Sequence, residues 1–396
     1  MKINRISEKE YSYVNEVLNN SFRSSKGAEF MTKLEHQFCE TFETNFSISH
    51  VNGTATMHSV LEAAGIGQGD EVIVPPLTMA STSLAVIHSN ATPVYADVEK
   101  DTLVISAKDI ENKITPRTKA IITVSLYGLA PEMDEICNIA KKHNLILIED
   151  NAQSFLSYYK GELLGNFGDA ASYSFQSSKH ISSGEGGMTT TNNEDLAIKI
   201  RKVTGLGYAA LGSKKAKITK ADIQNPNYTR HDALGWNYRM PELCCAVALA
   251  QVERLSELVE VRKVSASYYL DALKGCTWIK PQFVPEHCVS SYWAFACILD
   301  TDKVSWENFY QAFIKNGGLP FYGAWKLTYQ EPLFSEKLFG RRNDYISENY
   351  NEVSCPNAEY VQSRIIALKT NYWDTEDAKE QAEILKKTIL EFEDKF

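Results

Sequence analysis

The sequence has no run of about eighteen apolar residues, which is the length that a helix needs to cross a bilayer. Residues 1–14 also lack the apolar core of a secretory signal peptide. We therefore expect a cytoplasmic protein that has no membrane partner. The eight cysteines show no CxxC pair or other metal-ligand spacing, so we predict buried thiols and no metal site. Internal repeats and low-complexity tracts are lacking too, which excludes a solenoid and favours ordinary globular lobes.

Positive charge is scarce, with 41 Lys and Arg against 50 Asp and Glu and a net charge of −9. A protein that neutralises nucleic-acid phosphates needs a basic face, so the balance argues against a nucleic-acid partner. One local basic stretch, 213–230, contains Lys214, Lys215, Lys217 and Lys220. We interpret it as a solvated loop, and closure over an anionic substrate is the alternative.

The 396 residues are too many for one simple core, and the pattern predicts two lobes. Apolar strand-like runs at 71–75, 92–98, 119–128 and 145–150 alternate with helical patterns, and this alternation predicts an α/β fold with a mostly parallel sheet. A long helix is predicted near 241–265, leading into strands and helices of a smaller α+β lobe. We expect a large domain at 1–255 and a small C-terminal domain at 256–396.

Two helix boundaries matter for the site. The apolar positions of 54–64 lie on one helical face, and the pattern stops at Gly65. A second helix over 131–144 is predicted to open with Pro131 in its first turn.

Asp150 and Lys179 are an acid and an amine that could bind one cofactor together. Asp150 ends the strand "LILIED", and ligands collect at the carboxyl ends of parallel strands. Lys179 lies in "SYSFQSSKHISSGEGGM", between a strand-like run and a glycine cluster. Pyridoxal phosphate (PLP) needs an amine for its aldehyde and a carboxylate that keeps its ring nitrogen protonated. The pair therefore predicts a PLP site, although a lone Asp more often caps a turn and a lone Lys is more often a surface residue.

The phosphate of such a cofactor favours backbone N–H groups at a helix N-terminus. "VNGTATMHSV" offers this, because Gly53 permits close approach and Thr54 adds a hydroxyl where the helix begins. Ser174, five positions before Lys179, offers another hydroxyl. Each signal alone is weak, since "NGT" is more often a turn with an N-cap.

The order of the motifs resembles one family. The stretches "NGTATM", "GDEVIVPPLTMAST", "ITPRTKAIITVSLYG", "LILIEDNAQSF", "GNFGDAASYSFQSSKHISSGEGGMTTT" and "LGWNYRMPELCCAVALAQVERL" are similar to the DegT/DnrJ/EryC1/StrS aminotransferases, over about residues 25–265. The resemblance implies PLP fold type I, the aspartate aminotransferase-like α/β fold, in an enzyme that aminates nucleotide-linked keto-sugars.

The resemblance also implies residue roles. Lys179 would carry PLP as a Schiff base and shuttle a proton, and Asp150 would pair with the ring nitrogen. Gln153 would lie near the ring hydroxyl, and Ser174 with the Gly53 and Thr54 region would hold the phosphate.

A further implied role crosses between subunits. In "GWNYRMPE", Asn237 would reach the phosphate of the neighbouring subunit's cofactor. This implies a homodimer with shared active sites.

Three positions depart from the family pattern. Met79 stands where many relatives stack an aromatic ring on the cofactor. His180 follows the lysine where an Asn is common, and we interpret it as structural. Ser125 replaces a frequent His. These differences bear on the substrate more than on the basic chemistry.

The sequence thus predicts transfer of an amino group, with glutamate as the expected donor, to a nucleotide-linked keto-deoxysugar for surface polysaccharide or secondary-metabolite sugars. Pyridoxamine phosphate would be the intermediate form of the cofactor. A small phosphorylated ketone such as dihydroxyacetone phosphate is the alternative acceptor. Tyr322, Trp325 and Lys326 are loop candidates for closing over it, and lobe packing explains them equally well.

Two other functions remain. A branch of the family is a dehydratase that has histidine in place of the lysine, and Lys179 argues against it. The alternative from another class is a catalytically silent PLP-binding regulator or scaffold. The retained set of Lys179, Asp150, Gln153 and Ser174 disfavours a silent protein.

Overall fold

The computed structural model describes residues 1–20, 29–212, 221, 224–346 and 348–393. Lys214, Lys215, Lys217 and Lys220 of the basic stretch lie outside the described residues. No helix in these ranges is both long enough and apolar enough to span a membrane.

The helices of the described chain run as follows: α1 Glu8–Asn19, α2 Glu29–Phe42, α3 Gly53–Ala63, α4 Ser81–His88, α5 Ala107–Lys113, α6 Met133–His143, α7 Glu194–Thr204, α8 Glu242–Val252, α9 Leu255–Ala272, α10 Trp306–Lys315, α11 Pro332–Ser335, α12 Pro356–Gln362 and α13 Thr375–Glu393. The strands are β1 Phe46–His50, β2 Glu71–Val74, β3 Thr92–Tyr95, β4 Thr118–Val124, β5 Ile146–Asp150, β6 Tyr158–Tyr159, β7 Glu162–Leu163, β8 Ala170–Ser174, β9 Gly187–Thr191, β10 Ile279–Pro281, β11 Cys288–Val289, β12 Ala294–Leu299 and β13 Ile365–Lys369.

The large sheet has seven strands in the order β1-β9-β8-β5-β4-β2-β3. Strands β3, β2, β4, β5 and β8 are mutually parallel, and β9 runs antiparallel to both of its neighbours. The central strands are buried almost throughout, because helices cover both faces of a parallel sheet and select β-branched apolar residues. The predicted mostly parallel sheet is confirmed.

A second sheet, antiparallel β10-β12-β13, lies in the C-terminal part of the chain. It packs with α9, α10 and α13 around a core that includes Trp278, Phe295 and Phe309. The predicted boundary at 255 falls where α9 begins, and it stays a prediction.

The core of the large sheet also takes in residues from beyond this boundary. The ring of Tyr95 on β3 lies 5.4 Å from that of Tyr329, 6.2 Å from that of Phe334 and 5.9 Å from that of Tyr350. The chain therefore returns from the small sheet to cover the edge of the large one.

Two helix predictions were wrong. The predicted helix over 241–265 is two helices, because the chain breaks at Glu253 and Arg254 between α8 and α9. Pro131 does not open α6 but precedes its N-cap, Glu132, so the helix begins at Met133. Periodicity could not reveal the break, since both helices present apolar residues at similar spacing.

Candidate active site

The cavity of interest lies at the carboxyl edge of the large sheet. Strands β2, β4, β5 and β8 are parallel, so their last residues meet at this edge. A cavity of about 1060 Å³ opens there and extends to the end of β13 in the small sheet.

Most of the predicted site residues line this one cavity. Those brought together are Gly53, Thr54, Met79, Asp150, Gln153, Ser174 and Lys179. Tyr322 and Trp325 from the C-terminal loop also line it, whereas Lys326 is not among the lining residues that the structure describes. Residues more than a hundred positions apart in the chain therefore share one site.

Lys179 lies in the loop after β8, where its N–H donates to the carbonyl of Gln176 at 3.0 Å. Its ammonium nitrogen lies 4.9 Å from the ring centroid of Trp293. Burial lowers the pKa of Lys179 to about 8; the charge of Asp150 raises this pKa and that of Arg262 lowers it. An amine with this pKa is partly neutral near physiological pH, which a nucleophile and proton carrier requires.

Asp150 ends β5 with its carboxylate buried. One oxygen accepts from the hydroxyl of Thr82 at 3.0 Å, and the other accepts from the N–H of Ala152 at 3.2 Å. Burial raises the pKa of Asp150, while these donors and the charge of Lys179 lower it. A buried carboxylate with few donors favours a cationic partner in the cavity.

The N-terminus of α3 packs directly against Ser174. The side chain of Asn52 caps the helix by accepting from the N–H of Ala55 at 2.8 Å. A Cβ placed on Gly53 would lie 2.8 Å from the Cβ of Ser174 and 3.2 Å from its hydroxyl oxygen. This is a cradle in which backbone N–H groups, the Thr54 residue and the Ser174 hydroxyl can surround a phosphate.

Gln153 is buried beside the end of β4. Its carbonyl oxygen accepts from the N–H of Tyr127 at 2.8 Å. Tyr127 has a left-handed backbone, with φ 59°, and its ring stacks 6.2 Å from that of Trp293. Gln153 therefore fixes an aromatic wall of the cavity besides lining it.

Met79, His180 and Ser125, which depart from the family pattern, lie at different positions relative to the cavity. Met79 is 51% exposed and lines the cavity, so it can cover a ligand ring. His180 points away into the interior, where its Nε2 is 3.1 Å from the carbonyl oxygen of Ser291. Ser125 is buried and donates to the side chain of Asn151 at 3.0 Å. Of the three, only Met79 lines the site.

Asn237 lies apart from the other predicted residues. It is exposed, it bridges to the backbone of Gly205, and it is not among the described residues that line the cavity. The structure does not bring Asn237 to the site of its own subunit.

Sequence reasoning missed Arg262, Trp293 and Thr82, which contact the Lys179 loop or Asp150. Arg262 is a buried lining residue on α9, and Trp293 directly precedes β12. Neither carries a signal at the sequence level, because both lie more than eighty positions from Lys179 and belong to unremarkable helical and strand patterns. Thr82 stands within the family motif "LTMAST" and could have been found there.

Comparison with known proteins agrees with this geometry. The model of the DegT/DnrJ/EryC1/StrS aminotransferase family matches residues 4–386. The chain belongs to this family. It is 36% identical to a GDP-perosamine synthase of Escherichia coli O157:H7 over 75% of this chain and 76% of the relative. It is also 30% identical to a GDP-perosamine synthase of Vibrio cholerae, over 88% and 91%.

Among solved structures, an aminotransferase from Psychrobacter cryohalolentis superposes with a TM-score of 0.88 at 26% identity, over 99% of both chains. The predicted fold, PLP fold type I, is thereby confirmed. The family membership confirms the resemblance and makes the protein a PLP-dependent sugar aminotransferase. The roles of the individual residues stay predictions.

Proposed function

We propose that this family member moves an amino group from glutamate to the keto group of a nucleotide-linked keto-deoxysugar in surface-polysaccharide or secondary-metabolite sugar biosynthesis. The observation that carries the proposal is the one cavity shared by the Lys179 amine, the Asp150 carboxylate and the cradle that the start of α3 and Ser174 form together. The two bacterial relatives described above, named GDP-perosamine synthases, support a sugar as the acceptor.

The residues present fit PLP. The cradle would hold its phosphate, Asp150 its ring nitrogen, Gln153 the region of its ring hydroxyl, and Met79 one face of its ring. When bound, PLP supplies an electron sink that stabilises the negative charge left when a proton leaves the carbon bearing the amino group. Each of these roles is implied by the family resemblance, and the position of the residue in the cavity supports it.

Lys179 carries the proton. Its amine has a pKa of about 8, so near neutral pH it can accept a proton from the donor carbon in the first half-reaction and, in the second, donate a proton to the acceptor carbon. The face of Trp293 at 4.9 Å stabilises the protonated form without removing the amine from the cavity.

Asp150 would keep the ring nitrogen of the cofactor protonated. A cationic ring nitrogen compensates the buried carboxylate, and the carboxylate in turn keeps that nitrogen protonated. The donors Thr82 and Ala152 orient both oxygens, so the carboxylate need not reorganise during the reaction.

The size of the cavity favours the nucleotide-linked acceptor over a small phosphorylated ketone. Its volume of about 1060 Å³ lies at the upper end of the roughly 300–1000 Å³ typical of drug-sized ligands. PLP would take part of this volume, and dihydroxyacetone phosphate is too small to fill the part that remains. The exposed rings of Tyr322 and Trp325 give the outer part an apolar wall.

We infer that the working unit is a homodimer. Asn237 is exposed on its own subunit and lies outside its own cavity, as a residue that serves a neighbouring site would. A two-fold dimer is the simplest assembly in which each chain donates to the other. The cytoplasmic location stays a prediction of the sequence.

The test is a visible spectrum of the purified protein with PLP. We expect a yellow band that glutamate removes and that a keto-sugar nucleotide restores, starting with GDP-4-keto-6-deoxymannose, whereas dihydroxyacetone phosphate restores none of it. Lys179→Ala should fold, measured by circular dichroism, yet show no turnover.

Two outcomes would overturn the proposal. A stable yellow band that ignores glutamate would assign the protein to the silent PLP binders. Restoration by dihydroxyacetone phosphate and by none of the sugar nucleotides would assign it to the alternative acceptor.

A further inference from the structure

Arg262 on α9 is a buried arginine whose guanidinium contacts three separate segments. One terminal nitrogen donates to the carbonyls of Lys179 at 3.0 Å and Ser178 at 3.3 Å. The other donates to the carbonyl of Trp293 at 2.7 Å and to the hydroxyl of Thr370 at 3.3 Å. A single side chain therefore ties the lysine loop to the beginning of β12 and the end of β13.

No carboxylate pairs with Arg262 within the ranges that the structure describes. Burial lowers the pKa of its guanidinium to about 9, and Arg5 acts in the same direction. Three carbonyl oxygens and one hydroxyl, all uncharged, compensate this buried charge, which is a costly arrangement unless the geometry is well satisfied. The charge also acts on its neighbours, because it lowers the pKa of both Lys179 and Lys369.

Trp293 makes a second connection to the same loop. Its ring N–H donates to the carbonyl of Ser178 at 2.9 Å, the carbonyl that Arg262 also contacts. Its ring lies under the Lys179 ammonium and is stacked between Tyr127 at 6.2 Å and Trp325 at 6.3 Å. The position of the amine and the position of its backbone are thus fixed by neighbouring groups.

We propose that Arg262 is a positioning residue for Lys179: its fork of donors fixes the loop backbone against the small sheet and so holds the amine over Trp293, facing the cavity. The inference rests on the proposed function, since it assigns Arg262 to the same aminotransfer site. The planar fork is essential, because a lysine at this position would supply the charge but could not contact the carbonyls of two segments in one plane.

The experiment compares Arg262→Lys with Arg254→Lys. Arg254 occupies the N-cap position of the same helix, donates to the carbonyl of Asn4 and does not line the cavity, so it controls for the replacement of an arginine near α9. The measurements are the glutamate half-reaction of the PLP-bound protein and the rate at which the apoprotein captures PLP.

We expect Arg262→Lys to lower kcat and the capture rate by about tenfold or more, because small misplacements of a reacting group are costly. The KM for glutamate should stay within about threefold, since the interaction lost acts on the lysine and not on the substrate. Arg254→Lys should leave both rates within about twofold.

Three results would overturn the proposal. Unchanged kcat per bound cofactor, with only a lower Tm, would make Arg262 a purely structural residue. A large rise in KM at unchanged kcat would make it a substrate-binding residue. If Arg262→Lys does not fold, Arg262→Met keeps a long buried side chain without charge or donors, and a wild-type capture rate in that variant would contradict the positioning role.

The same measurements distinguish a failure of the proposed function from a failure of the role proposed for Arg262. If the wild-type protein ignores glutamate, aminotransfer is wrong, whereas a responsive wild type with an equally responsive Arg262→Lys variant rejects only the positioning role.

Discussion

Asp150 and Lys179 line the same cavity, and the charge of each opposes the effect that burial has on the pKa of the other. Burial raises the pKa of the carboxyl and Lys179 lowers it, while burial lowers the pKa of the amine and Asp150 raises it. Both groups are thereby held closer to their charged forms than burial alone would allow. The pair is a coupled unit, and a change in one must appear in the other.

The first prediction concerns the pH dependence of PLP capture by the apoprotein. Only the neutral amine attacks the aldehyde, so the capture rate should rise with pH and level off above about 8, the pKa of Lys179. An ordinary lysine would still be gaining rate near 10. Stopped-flow absorbance at several pH values measures the midpoint.

Replacing Asp150 tests the direction in which this carboxylate shifts the pKa of Lys179. Asp150 raises the pKa of Lys179 and Arg262 lowers it, so Asp150→Asn should shift the midpoint of capture to lower pH. Asp134→Asn is the control, because Asp134 is exposed and pairs with Lys160. A midpoint that stays unchanged in Asp150→Asn would contradict the coupling.

The second prediction concerns turnover by the same variant. Asp150→Asn should lower kcat roughly 100-fold, because a neutral amide does not keep the ring nitrogen protonated. Thr82→Val removes only the donor at 3.0 Å and should lower kcat less, by about threefold to tenfold. Steady-state rates per bound cofactor distinguish the two, and an equal effect of both changes would count against the charge as the cause.

The third prediction tests the phosphate cradle. Gly53→Ala places a methyl group 2.8 Å from the Cβ of Ser174, so the start of α3 and the end of β8 must move apart and the groups of the cradle lose their relative positions. We expect PLP to bind about tenfold more weakly, equivalent to about 1.4 kcal/mol. Titration of the visible band measures the affinity.

Gly67→Ala is the matched control, because the added group would meet only the carbonyl of Ser89, at 3.4 Å. Equal PLP affinity in Gly53→Ala and the wild type would show that the phosphate does not lie in the cradle.

The fourth prediction tests the shared site. Asn237→Ala should weaken PLP retention while the fold persists, and Asn227→Ala, at another exposed asparagine in the same region, should not. A mixed dimer of Lys179→Ala and Asn237→Ala chains would contain one site with both native residues. We expect mixing to restore turnover when PLP is limiting, and no recovery after confirmed subunit exchange would argue for sites contained in single chains.

The sequence predicted the parts of the fold that depend on local patterns. Apolar β-branched runs indicated the parallel strands, and the acid at the end of β5 indicated which edge carries the site. The family motifs supplied the cofactor and seven of the residues that line the cavity. These predictions succeeded because neighbouring residues in the chain carry the signal.

What could not be predicted depends on long-range packing. The guanidinium of Arg262 contacts the backbone carbonyl of Lys179. Any residue type has such a carbonyl, so nothing in the local sequence of either residue requires the other. The break between α8 and α9 was missed because apolar spacing continues across it. Asn237 was found only through the family motif, and the role proposed for it requires a second chain.

The return of the chain to the ring of Tyr95 has a consequence for engineering. The loop with Tyr322 and Trp325 at the cavity mouth continues directly into Tyr329, which packs on β3. A chimera that takes its C-terminal part from a relative, in order to change the acceptor, would therefore also replace the aromatic residues that cover β3, the edge strand of the large sheet. Such an exchange must preserve the aromatic packing on Tyr95, or altered selectivity will come with a destabilised sheet edge.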